Sequence, residues 1–455
     1  MKTASIRILN ELWRKVRTES LSTSTDESVA FLTAKYFETS EKIVFLAEQV
    51  VPAKPSDYLS RSDLHLKVSP LYISRVLNIA EDSKNTVIMV HSHPFETGKP
   101  KYSPSDDFGE SKTSETISKC LDRNPPVGSL LLGQNDLSAR AWIALSKKSV
   151  PASATVLSGL NYRIYPDLPK SDFIGRTLVD RQLRVLGKRK QDELESLDIG
   201  IVGLGGTGSS VAEQLVRMGI TKLKLVDHDL FEPSNWSRLY GSSWRDTTKN
   251  RPKVALVSSY LKKINPKIIC KSIQKSVMTK EVLHSLSNCD IIFSCLDRHG
   301  PRAVLNELSY QCFIPVIDVG VGLTRNNDGM LGGSIRATII GPGLPCLVCQ
   351  ELVRPEMITA ENLSPQEYAS RRAEGYVNER EQNAPSVVSY TTLAGSLGLI
   401  IFLDFISGNS SGSFSTLLFD LSSKETMKLR SDAKADCVCH KRLGKGFSLP
   451  FSVAD

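Results

Sequence analysis

Two imidazoles separated by one residue, His91 and His93, stand at the end of the apolar run Val87-Ile88-Met89-Val90. Residues two apart on a strand share a face, so both rings can reach one cation. Asp106 follows and can add an oxygen ligand, with Asp107 as the neighbouring alternative. Two histidines and one carboxylate leave a fourth tetrahedral position for water, the layout of a catalytic rather than a structural zinc. Zinc brings the pKa of such a water to about 7, and a carboxylate must then shuttle its proton to the leaving amine.

A second candidate site lies beyond the strand expected at Ile199–Val202. The string Gly203-Leu204-Gly205-Gly206-Thr207-Gly208 opens a helix expected over Ser209–Met218. The glycines Gly203, Gly205, Gly206 and Gly208 allow a tight turn and close approach of backbone amides to phosphate. The helix N-terminus favours the negative charge. Asp227 stands 19 residues beyond Gly208, at the end of the next strand, and suits a ribose hydroxyl. The glycine loop alone says only that a nucleotide binds, and a nicotinamide or flavin cofactor, as in an oxidoreductase, would be its default reading. Residues further along the chain separate the two readings: Asp227-His228-Asp229, Pro233 to Arg238 with Asn235, Arg251-Pro252-Lys253, and Ser294-Cys295-Leu296-Asp297. Hydride transfer has no use for Arg and Lys converging on the phosphates. Adenylation does, because charge builds on pyrophosphate as a carboxylate attacks the α-phosphate. Arg238 and Lys253 would neutralise that charge, Asp297 would hold magnesium, and Asp229 and Asn235 would complete the nucleotide contacts.

The elements that must position these groups divide the chain. Residues 1–150 mix helical patterns with short strands at Val87–Val90, Leu130–Leu132 and Ala139–Leu145. Residues 151–171 are rich in Ser and Pro. The expected domains are therefore 1–152 and 172–455, with a linker at 153–171. Beyond it, strands at Ile199–Val202, Lys222–Val226, Asp290–Ser294 and Pro315–Val319 alternate with helices such as Lys253–Lys263, the pattern of a doubly wound parallel α/β sheet. The apolar stretch Leu393–Ile406 is short for a membrane span and contains Asp404, so a buried helix is expected and no membrane. With 57 basic and 49 acidic residues the net charge is +8, and no dense basic block argues for nucleic acid. The balance is compatible with a phosphate-bearing ligand or an acidic protein partner. Apolar residues at 40% exclude a disordered chain. Nine cysteines, and a start without a secretion signal, lead us to expect a reduced, cytoplasmic protein.

The string His91-Ser92-His93-Pro94, followed by Ser103-x-x-Asp106, resembles the JAB/JAMM metalloproteases, which cut peptide and isopeptide bonds after ubiquitin-like proteins. The resemblance covers about residues 1–150 and implies a JAB/MPN-like α/β fold with catalytic zinc on His91, His93 and Asp106. It makes Glu27, in the context Glu27-Ser28-Val29-Ala30-Phe31-Leu32, the general acid/base, although Glu38 and Glu41 also lie upstream. Ser103 would stabilise the oxyanion. The loop from His93 to Ser103 is longer than the family pattern.

Residues 172–440 resemble the ThiF/MoeB family and the adenylation domains of ubiquitin-activating enzymes. Beyond the nucleotide set, Asp180-Arg181-Gln182-Leu183-Arg184-Val185-Leu186-Gly187 looks like that family's entry helix. The resemblance implies a Rossmann-like domain using ATP and magnesium. It also implies a homodimer in which Arg181 reaches the partner's ATP. A structural zinc would sit on Cys346, Cys349, Cys437 and Cys439. The second pair is one residue tighter than usual, which leaves His440 as a substitute ligand. No cysteine lies between Gln350 and Phe419, so adenylation without an obligatory enzyme thioester is expected. Together the resemblances imply a bifunctional enzyme acting on a ubiquitin-like or sulfur-carrier protein with a C-terminal glycine. A conjugating-enzyme-like protein would be a further partner. The setting would be a bacterial ubiquitin-like system, including antiphage defence, or sulfur-carrier activation in cofactor or cysteine biosynthesis. In a third reading one half is a non-catalytic docking module.

Overall fold

Short apolar runs build two main sheets, one in each of two compact units. The first unit comprises Met1–Ser171 and Gly444–Leu449, the second Asp172–Leu443 and Pro450–Asp455. The chain is seen in a computed structural model that describes residues 2–21, 26–62, 66–166, 176–325, 331–364, 366–367, 370, 385–408 and 414–452.

The first unit starts with β1 (Thr3–Leu9), α1 (Asn10–Ser20), β2 (Val29–Glu38), β3 (Lys42–Pro52), β4 (Tyr58–Arg61), β5 (Leu66–Val68) and α2 (Pro70–Asp82). It continues with β6 (Thr86–Ser92), α3 (Pro104–Cys120), β7 (Val127–Leu132), β8 (Leu137–Trp142), β9 (Ser149–Ser158) and β10 (Asn161–Tyr165). The sheet runs β1-β3-β2-β6-β7-β8-β9-β10, and a further pairing of β1 with β9 closes it into a strand barrel. Every residue of β6, β7 and β8 is buried, as suits strands covered on both faces. On one face Ile6, Leu32, Val90 and Leu130 pack with Trp13 and Val16 of α1. On the other, Phe31, Val87 and Met89 pack with Tyr72 and Val76 of α2 and Ile117 of α3. β6 lies between antiparallel β2 and parallel β7, with His91 opposite Val29 and Leu131. α3 begins where it does because Ser103 caps it, Pro104 fills its first position and Asp106 completes a capping box.

Two expectations are corrected here. Most of the stretch read as a junction forms β9 and β10, so it is part of the first unit. Ser153, Ala154 and Thr155 pair with Ser5, Ile6 and Arg7 of β1, a long-range gain that local composition does not display. Residues 167–171 of the expected linker lie outside the described residues. The strand expected to reach Leu145 stops at Trp142, and Leu145 takes a left-handed conformation (φ 52°).

The second unit contains α4 (Asp180–Ser196), β11 (Asp198–Val202), α5 (Gly206–Arg217), β12 (Lys222–Val226), α6 (Lys253–Ile264), β13 (Ile269–Ile273), α7 (Lys280–Leu286) and β14 (Ile291–Ser294). Next come α8 (His299–Cys312), β15 (Val316–Arg325), β16 (Leu331–Ile340), α9 (Pro355–Glu361), α10 (Val388–Ser407), β17 (Thr416–Asp420), β18 (Thr426–Leu429) and α11 (Val438–Lys441). The strand order is β13-β12-β11-β14-β15-β16-β17-β18. β13 to β15 are parallel, as expected, but β15 to β18 are antiparallel. The wholly parallel reading failed because β15 runs on to Arg325 and turns back as β16, and the alternating glycines of that hairpin mask its strand character. α10 covers the expected apolar helix. By length and composition it could cross a membrane, yet it packs on α5, β15 and β16. Gly395 and Gly398 allow that approach: a Cβ at Gly398 would fall 2.8 Å from Val319 Cγ2.

Where the parallel and antiparallel halves meet, Asp318 of β15 is fully buried. Its Oδ2 accepts from Arg302 Nη2 at 2.6 Å and Arg336 Nη2 at 2.7 Å, and its Oδ1 accepts from Arg302 Nε at 3.0 Å and Ser294 Oγ at 2.9 Å. Burial alone would raise this carboxyl, but the two guanidinium groups outweigh it and hold it below the usual carboxylate range. A depressed folded-state pKa stabilises above the ordinary carboxylate value and is lost as pH falls through the folded-state value. Asp318→Asn leaves two buried cations sharing no anion. We expect it to destabilise the second unit by about 3–5 kcal/mol, read as a lower midpoint in guanidinium chloride unfolding at neutral pH.

Candidate functional site

In the first unit the end of β6 and the first turn of α3 converge. His91 and His93 share one strand face, with ring centroids 5.4 Å apart. His91 Nε2 lies 3.3 Å from Asp106 Oδ1, and His93 Nε2 lies 3.6 Å from Asp106 Oδ2. Ligand atoms about 2.0–2.1 Å from a tetrahedral zinc stand about 3.3 Å from one another, so the spacing of this trio fits the ion. His91 Nε2 is buried and makes no hydrogen bond of good geometry, as suits an atom kept for a metal. Asp106 rather than Asp107 points at the histidines; Asp107 pairs with Arg140. Glu27, two residues before β2, brings Oε1 to 3.4 Å from His93 Nε2. Glu38 sits at the far end of β2 and pairs with Lys2. Ser103 caps the helix: its Oγ accepts from the Asp106 amide at 3.1 Å, and its own amide donates to Asp106 Oδ2 at 2.7 Å. It thus fixes the Asp106 carboxylate, a role the sequence reading did not give it.

Behind the trio stands a carboxylate that the sequence reading missed. Glu110 lies one turn beyond Asp106 on α3, so the two share a face. Asp106 faces Nε2 of His91, and Glu110 Oε1 lies 3.2 Å from Nδ1. Glu110 is itself held by Ser129 Oγ at 2.6 Å, Arg140 Nε at 2.9 Å and Trp142 Nε1 at 3.1 Å. Glu96 plays the same part for His93, with Oε1 2.7 Å from Nδ1. A carboxylate on the second ring nitrogen orients a ligating histidine and raises its basicity. Burial pushes the His91 imidazole down, but Asp106 and Glu110 together outweigh it and raise the pKa to about 9. The signal for Glu110 was its spacing of four from Asp106 on a capped helix.

In the second unit a cavity of about 540 Å³ opens at the carboxyl ends of the parallel strands. Gly203, Gly205 and Gly206 form its floor, with Arg238, Lys253 and Asp297 on its walls. Gly203 has φ +87°, and α5 starts at Gly206 without a side-chain cap, so its first amides face the cavity. Gly208 works from behind: a Cβ there would fall 1.8 Å from the Gly203 carbonyl oxygen. Asp227 lines the cavity, and its carboxylate braces the loop by accepting from the Leu204 amide at 2.6 Å and the Asp229 amide at 2.8 Å. Its burial raises its pKa. Lys253 Nζ pairs with Asp229 at 2.8 Å, and Arg238 Nη1 donates to the Ser234 carbonyl at 2.9 Å. One expected contact is corrected. Asn235 is buried and accepts from the Glu232 amide at 3.2 Å, fixing a turn, and it does not line the cavity. Arg181, expected to reach the nucleotide of a partner chain, is exposed on α4. Lys275, Arg302, Arg336 and Thr391 also line the cavity, and the sequence reading named none of them.

The four cysteines form a buried cluster. Cys346 Sγ lies 3.6 Å from Cys349 and 3.4 Å from Cys437, and Cys349 Sγ lies 4.0 Å from Cys439. Four sulfurs about 2.3 Å from one zinc stand about 3.8 Å apart, so the cluster fits a structural site. The Lys434 amide donates to Cys349 Sγ at 3.3 Å, favouring the thiolate. His440 is exposed and takes no part.

A sequence profile of the ThiF family matches residues 179–439. The chain belongs to the ThiF family. The match covers the cavity and all four cysteines, and the second unit is the Rossmann-like α/β domain of that family. Among curated ThiF-family relatives, the chain is similar to the sulfur carrier protein ThiS adenylyltransferase of Bacillus subtilis, 26% identical over 164 residues, which are 36% of this chain and 46% of that protein. It is 29% identical over 159 residues to the molybdopterin-synthase adenylyltransferase of Escherichia coli, covering 35% of this chain and 60% of that protein. It is 26% identical over 184 residues to ubiquitin-like modifier-activating enzyme 5 of Rattus norvegicus, covering 38% and 42%. The chain thus spans less than two thirds of each relative's length.

Metal analysis of this ThiF-family chain is expected to find zinc in two independent sites. His91→Ala should empty one and leave the other; Cys346→Ser should do the reverse and lower the melting temperature. Zinc lost wholly with Cys346→Ser would remove the site in the first unit. Gly208→Ala should weaken ATP binding by at least about tenfold, roughly 1.4 kcal/mol, measured by calorimetry.

Proposed function

We propose that the second unit activates the C-terminal carboxylate of a ubiquitin-like or sulfur-carrier protein as an acyl adenylate, using ATP and magnesium. The observation that carries this reading is one cavity holding the uncapped α5 N-terminus together with Arg238, Lys253 and Asp297. The α5 amides hold phosphate. Lys253 and Arg238 neutralise charge on departing pyrophosphate, and Asp297 carries magnesium. The printed names of the relatives, which include a sulfur-carrier adenylyltransferase and a ubiquitin-like modifier-activating enzyme, support this substrate class. No enzyme thioester is part of the proposal. The crossover between Gln350 and Phe419 has no cysteine, and burial raises the Cys270 thiol to about 11 and Cys295 further still.

We further propose that the first unit is a JAB/JAMM-type zinc peptidase acting on the same small protein, either trimming its tail or releasing it from conjugates. The support is the His91, His93 and Asp106 trio with Glu27 at 3.4 Å. Zinc held there would lower the pKa of a water to about 7. Glu27 accepts its proton and returns it to the leaving amine, while Glu110 and Glu96 keep both imidazoles aimed. A cytoplasmic setting belongs to the proposal, since four thiolates need a reducing compartment. So does a homodimer through which exposed Arg181 reaches the partner's nucleotide.

The test is pyrophosphate exchange with candidate glycine-ending carriers, each mature and with a C-terminal extension. Wild type should exchange with the mature carrier, and Lys253→Ala should lose about 10²–10³ of the rate. The extended carrier should exchange only after cleavage, and His91→Ala should abolish that cleavage while sparing mature-carrier exchange. Absence of exchange with every carrier would favour a docking role for the second unit. Absence of cleavage of extended carriers and conjugates by zinc-loaded protein would remove the peptidase.

A further inference from the structure

Carboxylates crowd the two imidazoles of the first unit. Asp106 lies against both, Glu110 stands behind His91, and Glu27 and Glu96 flank His93. Asp107 follows Asp106 directly in the first turn of α3. An oxygen-rich surround of this kind suits manganese, magnesium or calcium, whereas two imidazoles and one carboxylate suit zinc. Which set a cation meets depends on where the other carboxylates of α3 are held.

Arg140 of β8 holds two of them. Its Nε donates to Glu110 Oε2 at 2.9 Å, and its Nη2 lies 2.8 Å from the same oxygen. Its Nη1 donates to Asp107 Oδ1. Glu110 is four residues from Asp106 and shares its helix face, so a change of rotamer would aim it at the same cation. Asp107 is exposed, and its pairing with Arg140 turns it away from the histidines. The guanidinium itself has little freedom. Arg140 is 8% exposed, and its Cζ lies 3.7 Å from the centroid of the Tyr102 ring and 4.8 Å from that of the Trp142 ring. These are cation–π contacts. Both rings are fixed in turn: the Tyr102 hydroxyl lies 3.0 Å from Ser129 Oγ, and Trp142 Nε1 donates to Glu110 at 3.1 Å. A planar fork can grip two carboxylates at once, and the point charge of a lysine cannot.

Resting on the zinc reading of His91, His93 and Asp106, we infer that Arg140 is a positioning residue that sets the metal choice of this site. By binding Glu110 and Asp107 it keeps both out of the coordination sphere. That leaves the fourth position to water and selects zinc over cations that prefer oxygen.

The test titrates the zinc-loaded full chain with manganese. Released zinc is read with a chromogenic indicator and bound manganese by electron paramagnetic resonance. Thiolates disfavour manganese, so the exchange reports on the first unit and not on the four cysteines. Wild type should keep its zinc against a large excess of manganese. Arg140→Gln should lower the manganese concentration for half release at least about tenfold, with one manganese bound per chain. Arg140→Lys, which keeps a buried charge against Glu110, should act in the same direction and decides the matter if Arg140→Gln does not fold. Adding Asp107→Asn or Glu110→Gln to the folded variant should restore the preference for zinc, which a merely structural role of Arg140 would not produce. An unchanged half-release concentration, zinc loss without manganese uptake, or restoration by neither second substitution overturns the inference. A wild-type content of one zinc per chain that His91→Ala leaves unchanged removes the zinc reading itself, and this inference with it.

Discussion

One carboxylate joins the two halves of the second unit's sheet. Asp318 is fully buried on the last parallel strand, and the two guanidinium groups it accepts come from α8 and from the first antiparallel strand. Taking three charges out of water is expensive, and mutual attraction in the interior offsets the loss only when the geometry is good. Here both oxygens are engaged, and Ser294 adds a fourth donor contact from the neighbouring strand. The arrangement fixes α8, β14, β15 and β16 against one another. It also sets the wall of the cavity, because both arginines line it.

The first unit solves a similar problem with different elements. Two imidazoles two residues apart on a buried strand meet two carboxylates four residues apart on a capped helix. Each periodicity turns a spacing along the chain into a shared face, and the crossing of strand end and helix start makes the site. The Ser103 capping box links helix initiation to the placement of the Asp106 carboxylate, since that side chain ends the box. The buried network of Glu110 with Ser129, Arg140 and Trp142 then holds the rear of His91. The same residues therefore serve folding and would serve the proposed chemistry as well.

The two proposed activities make a coherent pair in chemical terms. A hydrolase that exposes a C-terminal glycine produces the carboxylate that an adenylating site consumes. The four-sulfur cluster supports the second site by tying the segment after β16 to one about 90 residues later, fixing the frame around α8.

Local patterns in the chain were enough to locate the candidate sites. The strand ending in His91 and His93, the glycine loop between β11 and α5, Asp227 at the end of β12, and the paired cysteines all declare themselves by spacing, because each depends on neighbours a few residues away. Tertiary structure decided the rest. The closure of β1 onto β9, the antiparallel half of the second sheet, and the partners of Glu110, Arg302 and Arg336 depend on residues far apart in sequence. Asn235 carried the right residue type for a ligand contact, yet a local backbone amide claimed its side-chain oxygen first. Burial and pairing are properties of the assembled sheet, and no window of sequence contains them.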